Sequence, residues 1–341
     1  MGELTPLVNN AIADGDDELE QSIFGTGHPN EIAREIEDFV TTRLGPSATP
    51  LFYRHGVGIA VGFRLEKRNV VVKVHHWLAS VHRLTAIQRV QSEFLSQGLP
   101  VPRPVVGPIS LGTGVATVEE LIAGETADGH EVDVRKILAA EFCRFVSIGR
   151  NIKDVSDLDP AVLLRGRVGS PWPTPHSPRL NFDSTSKGAE WIDHFAQSAL
   201  RRLEDYVAEP VVGHLDWRVE NLGFAGSTLV AIYDWDSVGL ASEAFLVGNT
   251  AAVFSSNWSY PNGYLPTLGE MRAFVADYQE ALGRPFKKDE LVAIDAANLL
   301  TVAYGARCQH SRGSLFPDSP NGSRGWIELL RERGEFGLRP T

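Results

Sequence analysis

The chain has 341 residues, 43% hydrophobic and 22% charged, a soluble globular balance with core material for one large or two modest domains and too apolar for a wholly disordered chain. With 32 basic against 43 acidic residues, a net charge of −11 lacks the basic excess by which a general nucleic-acid binder displaces counterions from phosphates. No uncharged apolar run approaches the ~18 residues of a membrane span, the opening MGELTPLVNNAIADGDDELE has neither region of a signal peptide, and Cys143 and Cys308 cannot form a disulfide framework or a cysteine zinc site, so a cytoplasmic protein without membrane or nucleic-acid partners is expected.

Residues 1–50 hold ten Asp or Glu against two Arg, so most of the net charge belongs to the start of the chain, and residues 1–28 read as an acidic flexible leader. From Asn30 to Leu44, Ile32, Ile36, Phe39 and Val40 recur at helical spacing between a capping Asn30 and a stopping Gly45. LFYRHGVGIAVGFRLEKRNVVVKVHH then gives three β-rich stretches separated by glycines and a charged turn, a three-stranded antiparallel start. Leu84, Ile87, Val90 and Phe94 mark another helix, followed by the proline-stiffened LPVPRPVV and a second hairpin ending near residue 124. Residues 29–124 thus form a small sheet-rich lobe.

Residues 125–341 read as a larger, mostly helical lobe. It opens with a helix around Val132–Asn151, continues through a Pro/Ser/Gly-rich loop from about 165 to 188, and resumes with a helix near Ala189–Tyr206. The segment EPVVGHLDWRVENLGFAGSTLVAIYDWDSVG switches to short strands around an Ala225-Gly226-Ser227 turn, and the remainder is helical with two interruptions.

The chemistry is concentrated in VVGHLDWRVENLGF and LVAIYDWD. A loop leaving an apolar strand can aim Asp216 into a cleft, and the hairpin that follows can return Asp234 beside Asn221. Two side-chain oxygens at one point suit Mg²⁺, a hard cation that shares its shell with phosphates and water. His214-x-Asp216 with Asn221 five residues on, followed by Ile232-Tyr233-Asp234-Trp235, resembles the aminoglycoside phosphotransferase and choline kinase family, small-molecule kinases of protein-kinase-like fold. The resemblance extends upstream to Val71-Val72-Lys73, to Glu93 in the following helix, to Pro100-Val101-Pro102-Arg103, and to the hinge-like Val118-Glu119-Glu120-Leu121.

The resemblance implies an α+β fold with a β-rich nucleotide lobe and a helical catalytic lobe, and ATP-dependent transfer of a γ-phosphoryl to a hydroxyl of a small molecule. Asp216 would be the base, Asn221 and Asp234 the Mg²⁺ ligands, Lys73 the phosphate-pairing cation, Glu93 its orienting partner, and Glu120 and Leu121 the hinge beside the nucleotide. His214 is expected to bond the catalytic-loop backbone, and Trp217 and Trp235 to pack. Leu215 stands where the family usually has glycine, and Trp217-Arg218 where it has a His-Pro or similar pair. Neither an activation loop nor an Ala-Pro-Glu element follows Asp234, which argues against a protein kinase; a kinase-like nucleotide binder without turnover is the other alternative.

For the acceptor, residues 241–341 carry eleven acidic against ten basic side chains, so no strong negative field for a dense polycation is written there. Trp258, Tyr260, Tyr264, Phe316 and Trp326 are candidates to line a pocket, and Arg218 beside the base, unless occupied by Glu220, favours a hydroxylated compound of modest positive charge. Candidate acceptors are an aminoglycoside, an amino sugar or a related antibiotic-like or metabolite molecule, seated between the loop Pro171–Ser184 and the C-terminal helices.

Overall fold

The computed structural model of the protein describes residues 3–12, 17–76, 80–175, 180–257, 265–313 and 325–338. The chain divides into two units, Met1–Ala123 and Gly124–Thr341. It has the expected α+β composition, with the main sheet in the first unit and most of the helix in the second.

In the first unit, β1 (Thr49–His55), β2 (Ile59–Arg64), β3 (Asn69–His75), β4 (Pro104–Leu111) and β5 (Gly114–Glu120) form one antiparallel sheet in the order β1-β2-β3-β5-β4. The period-two alternation of strands divides their side chains between two faces. Ile59, Val61, Phe63, Val70, Val72, Val74, Ala116 and Val118 face one apolar cluster. Lys73, opposite Ala60 on β2 and Thr117 on β5, belongs to the other face, as does Glu119 opposite Val71. The helix α4 (Val81–Ser96), capped by Ser80, lies on this second face, where its Gln91 reaches Glu119.

The apolar face is covered by α1 (Leu4–Ala11), α2 (Glu18–Phe24) and α3 (Pro29–Leu44), so the expected flexible leader is corrected: its described part carries two docked helices. Acidic composition concealed two short apolar stripes. Leu4, Val8 and Ile23 are fully buried, and Phe24 nearly so, while Glu3 and Glu18 remain outside. Glu20 turns inward and is fully buried, its Oε1 accepting from the Tyr53 hydroxyl at 2.9 Å and lying 3.1 Å from His55 Nδ1. Burial and the adjacent carboxylate push the Tyr53 hydroxyl strongly up, holding it as a proton donor. The Ile23 carbonyl accepts from the Thr113 amide at 2.8 Å. Gly112 permits that approach, because a Cβ there would stand 2.3 Å from the same oxygen.

The second unit contains α5 (Val132–Gly149), α6 (Glu190–Glu204), α7 (Glu243–Val253), α8 (Leu268–Leu282), α9 (Lys288–Arg312) and α10 (Trp326–Arg333). Among the described residues, α9 alone is long and apolar enough to cross a membrane. It packs instead against α6, α7 and α10 and buries Asp295, Asn298 and Arg307 among its apolar residues. Asp295 binds Arg333 of α10 at 2.6 Å and Arg202 of α6 at 2.7 Å, a pairing that offsets the cost of burying its charge.

The long Pro/Ser/Gly-rich loop is irregular, as its composition predicts, and its described part is anchored. Arg307 donates to the Phe182 carbonyl and to Thr185 Oγ1, and Trp172 and Phe182 pack with Tyr304. Of the aromatics considered for an acceptor pocket, Trp326 packs its ring over Gly305, where a Cβ would fall 2.2 Å from it. Trp258, Tyr260, Tyr264 and Phe316 lie outside the described residues.

Candidate active site

In the second unit, β6 (Val211–His214) pairs with β9 (Val238–Ala241), and β7 (Leu222–Ala225) with β8 (Thr228–Ile232). The second pair is the hairpin expected around Ala225-Gly226-Ser227. Its register sets Leu222 opposite Ile232, and beyond that pair the Tyr233 amide donates to the Asn221 carbonyl at 2.9 Å. Asn221 and Asp234 are therefore brought to the open end of one hairpin, as their spacing predicted.

Asp216 stands in the loop between β6 and β7. Asn221 Nδ2 donates to its carbonyl at 2.9 Å and to its Oδ2 at 2.8 Å, while Arg218 Nε lies 3.2 Å from the same Oδ2. Arg218 also reaches Glu220 at 3.4 Å, so the cation is shared between the candidate base and the alternative partner. Oδ1 of Asp216 takes part in none of these contacts, and the side chain keeps 32% of its surface exposed. One carboxylate oxygen is held while the other is left for a proton.

The loop is fixed from behind. His214 is fully buried, with Nε2 2.8 Å from the Tyr233 carbonyl and Nδ1 3.3 Å from the Asp216 amide. One tautomer, with the proton on Nε2, satisfies both contacts. Trp217 is fully buried against Phe142 and Phe145 and donates to the Leu138 carbonyl; Trp235 is equally buried and donates to the Ile232 carbonyl. Both tryptophans pack. Asn249 of α7 donates to the Leu215 carbonyl at 2.7 Å and accepts from Thr301 of α9, a support that no motif in the sequence indicated.

Asp234 adopts a left-handed backbone, φ 55° and ψ 50°, a conformation that disfavours a residue with a Cβ. The Ser237 hydroxyl donates to its Oδ2 at 2.5 Å, and the Ser237 amide to its carbonyl at 3.0 Å, which hold the turn. Among the described residues, no group of three or more His, Cys, Asp or Glu forms a metal centre. The donors present are instead an amide oxygen and a carboxylate. The Asn221 amide turns its nitrogen to Asp216, and an amide oxygen with a carboxylate is a hard donor pair that suits a cation completing its shell with phosphate and water. Burial pushes the Tyr233 hydroxyl, which packs over Gly223, up, so it stays protonated.

In the first unit, Lys73 Nζ lies 3.0 Å from Glu119 Oε1, an ion pair with both side chains largely buried, at 15% and 11% exposure. Gln91 donates to the other Glu119 oxygen at 3.1 Å and to the Pro102 carbonyl at 2.8 Å. The expected Lys73–Glu93 pair is corrected: Glu93 is on the exposed side of α4, where Gln97 donates to it at 3.4 Å. The hinge residues also have their amides occupied. Glu120 donates to the Arg103 carbonyl and Leu121 to the Asn69 carbonyl, each at 2.9 Å, so neither N–H is directed to a nucleotide base. The Glu120 carboxylate stands 3.9 Å from Arg68 and 3.8 Å from Arg103.

The profile of the phosphotransferase enzyme family matches residues 61–290. No curated protein sequence matches. Among solved structures, a microcompartment-associated aminopropanol kinase superposes with a TM-score of 0.58 at 16% identity, over 82% of this chain and 89% of its own. A thermostable mutant of the aminoglycoside phosphotransferase APH(4)-Ia, in ternary complex with ADP and hygromycin B, gives 0.52 at 14% identity over 82% and 93%. The streptomycin–ATP complex of APH(2")-IIa gives 0.52 at 15% over 89% and 98%. At these identities the likeness is one of fold.

Proposed function

The chain belongs to the phosphotransferase enzyme family, whose profile spans most of its length, and on that premise we propose that it moves the γ-phosphoryl of Mg·ATP to a hydroxyl of a small molecule, with Asp216 as base. The observation that carries this reading is the division of labour at Asp216: Asn221 and Arg218 hold Oδ2, while Oδ1 is uncommitted. A carboxylate fixed in this way can orient an acceptor hydroxyl and take its proton as the oxygen attacks phosphorus. Bound Mg²⁺ supplies charge neutralisation at the phosphates. Asn221 and Asp234 offer it oxygens, and Lys73 offers a cation for the nucleotide's phosphates. Transfer leaves ADP and a phosphomonoester, with the hydroxyl proton on Asp216. ATP as co-substrate is consistent with a cytoplasmic protein.

The surroundings of Asp216 also favour a class of acceptor. Arg218 is matched by two carboxylates, Asp216 and Glu220, so the pair of acids retains a net negative charge beside the transferring group. An amino alcohol, amino sugar or aminoglycoside of modest positive charge suits that balance. The test is an ATP-consumption screen across such compounds, macrolides and nucleosides, with saturation kinetics on the hits and Asp216→Asn as control. Turnover that requires Asp216 supports the reading. Nucleotide binding without turnover on any acceptor would favour a kinase-like binding protein.

A further inference from the structure

The cation assigned above to the nucleotide's phosphates has a carboxylate partner that the helix does not supply. Glu119 comes from β5, the strand hydrogen-bonded directly to β3, and stands opposite Val71 on the face that carries Lys73. Its Oε1 is 3.0 Å from Lys73 Nζ, and its Oε2 accepts from Gln91, whose amide nitrogen also donates to the Pro102 carbonyl. Glu119 is thus fixed through its backbone by the sheet and through its second oxygen by α4. We propose that Glu119 is the residue that positions Lys73 for the nucleotide, an assignment that rests on the phosphotransferase reading of Lys73.

The physical consequence follows from where the partner is anchored. A carboxylate carried by a helix can leave the lysine when the helix shifts against the sheet. A carboxylate on the neighbouring strand keeps its backbone anchor when the helix moves, because the β3–β5 ladder does not depend on the helix. Gln91 contributes a neutral hydrogen bond to Glu119 rather than a charge to Lys73, so displacing α4 would loosen the carboxylate without removing it. At 15% and 11% exposure, water screens the pair only weakly, and its geometry is set by register. The lysine is held ready whenever the sheet is folded.

The test measures binding of the fluorescent nucleotide mant-ATP in the presence of Mg²⁺ by the full chain, which needs no acceptor, alongside thermal melting. Glu119→Gln should weaken binding by about 10-fold with a Tm within a few degrees of the parent, since a charge-assisted contact orienting a phosphate ligand is worth about that factor. Glu119→Asp, which keeps the charge on a shorter arm, should recover part of the loss; should Glu119→Gln not fold, a loss of about 3-fold in Glu119→Asp serves in its place. Glu93→Ala should stay within about 2-fold of the parent. Combining Glu119→Gln with Lys73→Ala should bind no more weakly than Lys73→Ala alone. Unchanged affinity in Glu119→Gln while Lys73→Ala binds weakly would overturn the proposal, as would full additivity of the two losses. Unchanged affinity in Lys73→Ala would refute the assignment of Lys73 itself.

Discussion

Lys73 and Asp216, two charged side chains with proposed roles in transfer, are held by different means. Lys73 sits in a ladder of strands, and its partner is chosen by the register that places Glu119 opposite Val71. Asp216 sits in a loop where Asn221, Arg218 and the buried His214 ring fix it through contacts with residues at most five positions away. A site built by register depends on everything that keeps the sheet flat against its cover. A site built by local contacts depends on a few atoms, and single substitutions there should change the chemistry while leaving the fold standing.

The largest expected effect comes from stripping the cover. Deleting residues 1–25 removes Leu4, Val8, Ile23 and Phe24, each worth about 1.5–3 kcal/mol when buried, a sum comparable with the whole ~5–15 kcal/mol stability of a typical domain. The first unit should lose its cooperative melting transition and mant-ATP binding should vanish; a soluble truncation that binds with parental affinity would show that the helices are dispensable. Next, Asp216→Asn should lower kcat by about 100-fold or more with nucleotide affinity nearly intact, because the loss falls on the proton-accepting step. Near-normal kcat in that variant would remove Asp216 from its role.

A smaller effect is expected at the two oxygens proposed for Mg²⁺. Asp234→Ala should raise the Mg²⁺ concentration for half-maximal rate by about 10-fold or more, and Asn221→Ala should do the same while also lowering kcat, since its amide steadies Asp216. Titrations identical to the parent would reject the pair as ligands. Smallest of all, Ser237→Ala removes only the hydroxyl bond to Asp234 Oδ2, worth about 1 kcal/mol, and should move the Mg²⁺ midpoint by about 5-fold. A larger shift for Ser237→Ala than for Asp234→Ala would reverse the proposed order of direct and supporting residues.

The locally built site was legible because its spacing is short. His214, Asp216, Asn221 and Asp234 lie within one strand-loop-hairpin segment, and a two-residue turn between apolar runs leaves little freedom in how the segment closes. The partner of Lys73 was not legible by the same route. Distance along the chain placed Glu93 suitably, yet at about 100° per residue Glu93, nine positions beyond Leu84, projects to the opposite side of the helix, whereas Gln91 lies on the stripe of Leu84, Ile87 and Phe94. That angular count was available in the sequence. What it could not supply is the pairing of β3 with β5, which brings Glu119 to the lysine across more than forty intervening residues. The leader was misread for a related reason. Averaged over 28 residues its acidity is prominent, but the short apolar stripes of α1 and α2 acquire meaning only when there is a sheet face to cover.

The bond between the Ile23 carbonyl and the Thr113 amide, with the Thr113 hydroxyl also reaching Ile23 across 90 positions, bears on how the chain is made. The helices that cover the sheet leave the ribosome before the strand turn that receives them, which emerges roughly ninety residues later. Until then their apolar stripes have no native seat, and at about 5–20 residues per second that interval lasts on the order of 5–20 s. Closing so long a loop belongs to the slow, non-local class of folding events, so the first unit is completed late in its own synthesis even though it is translated ahead of the second.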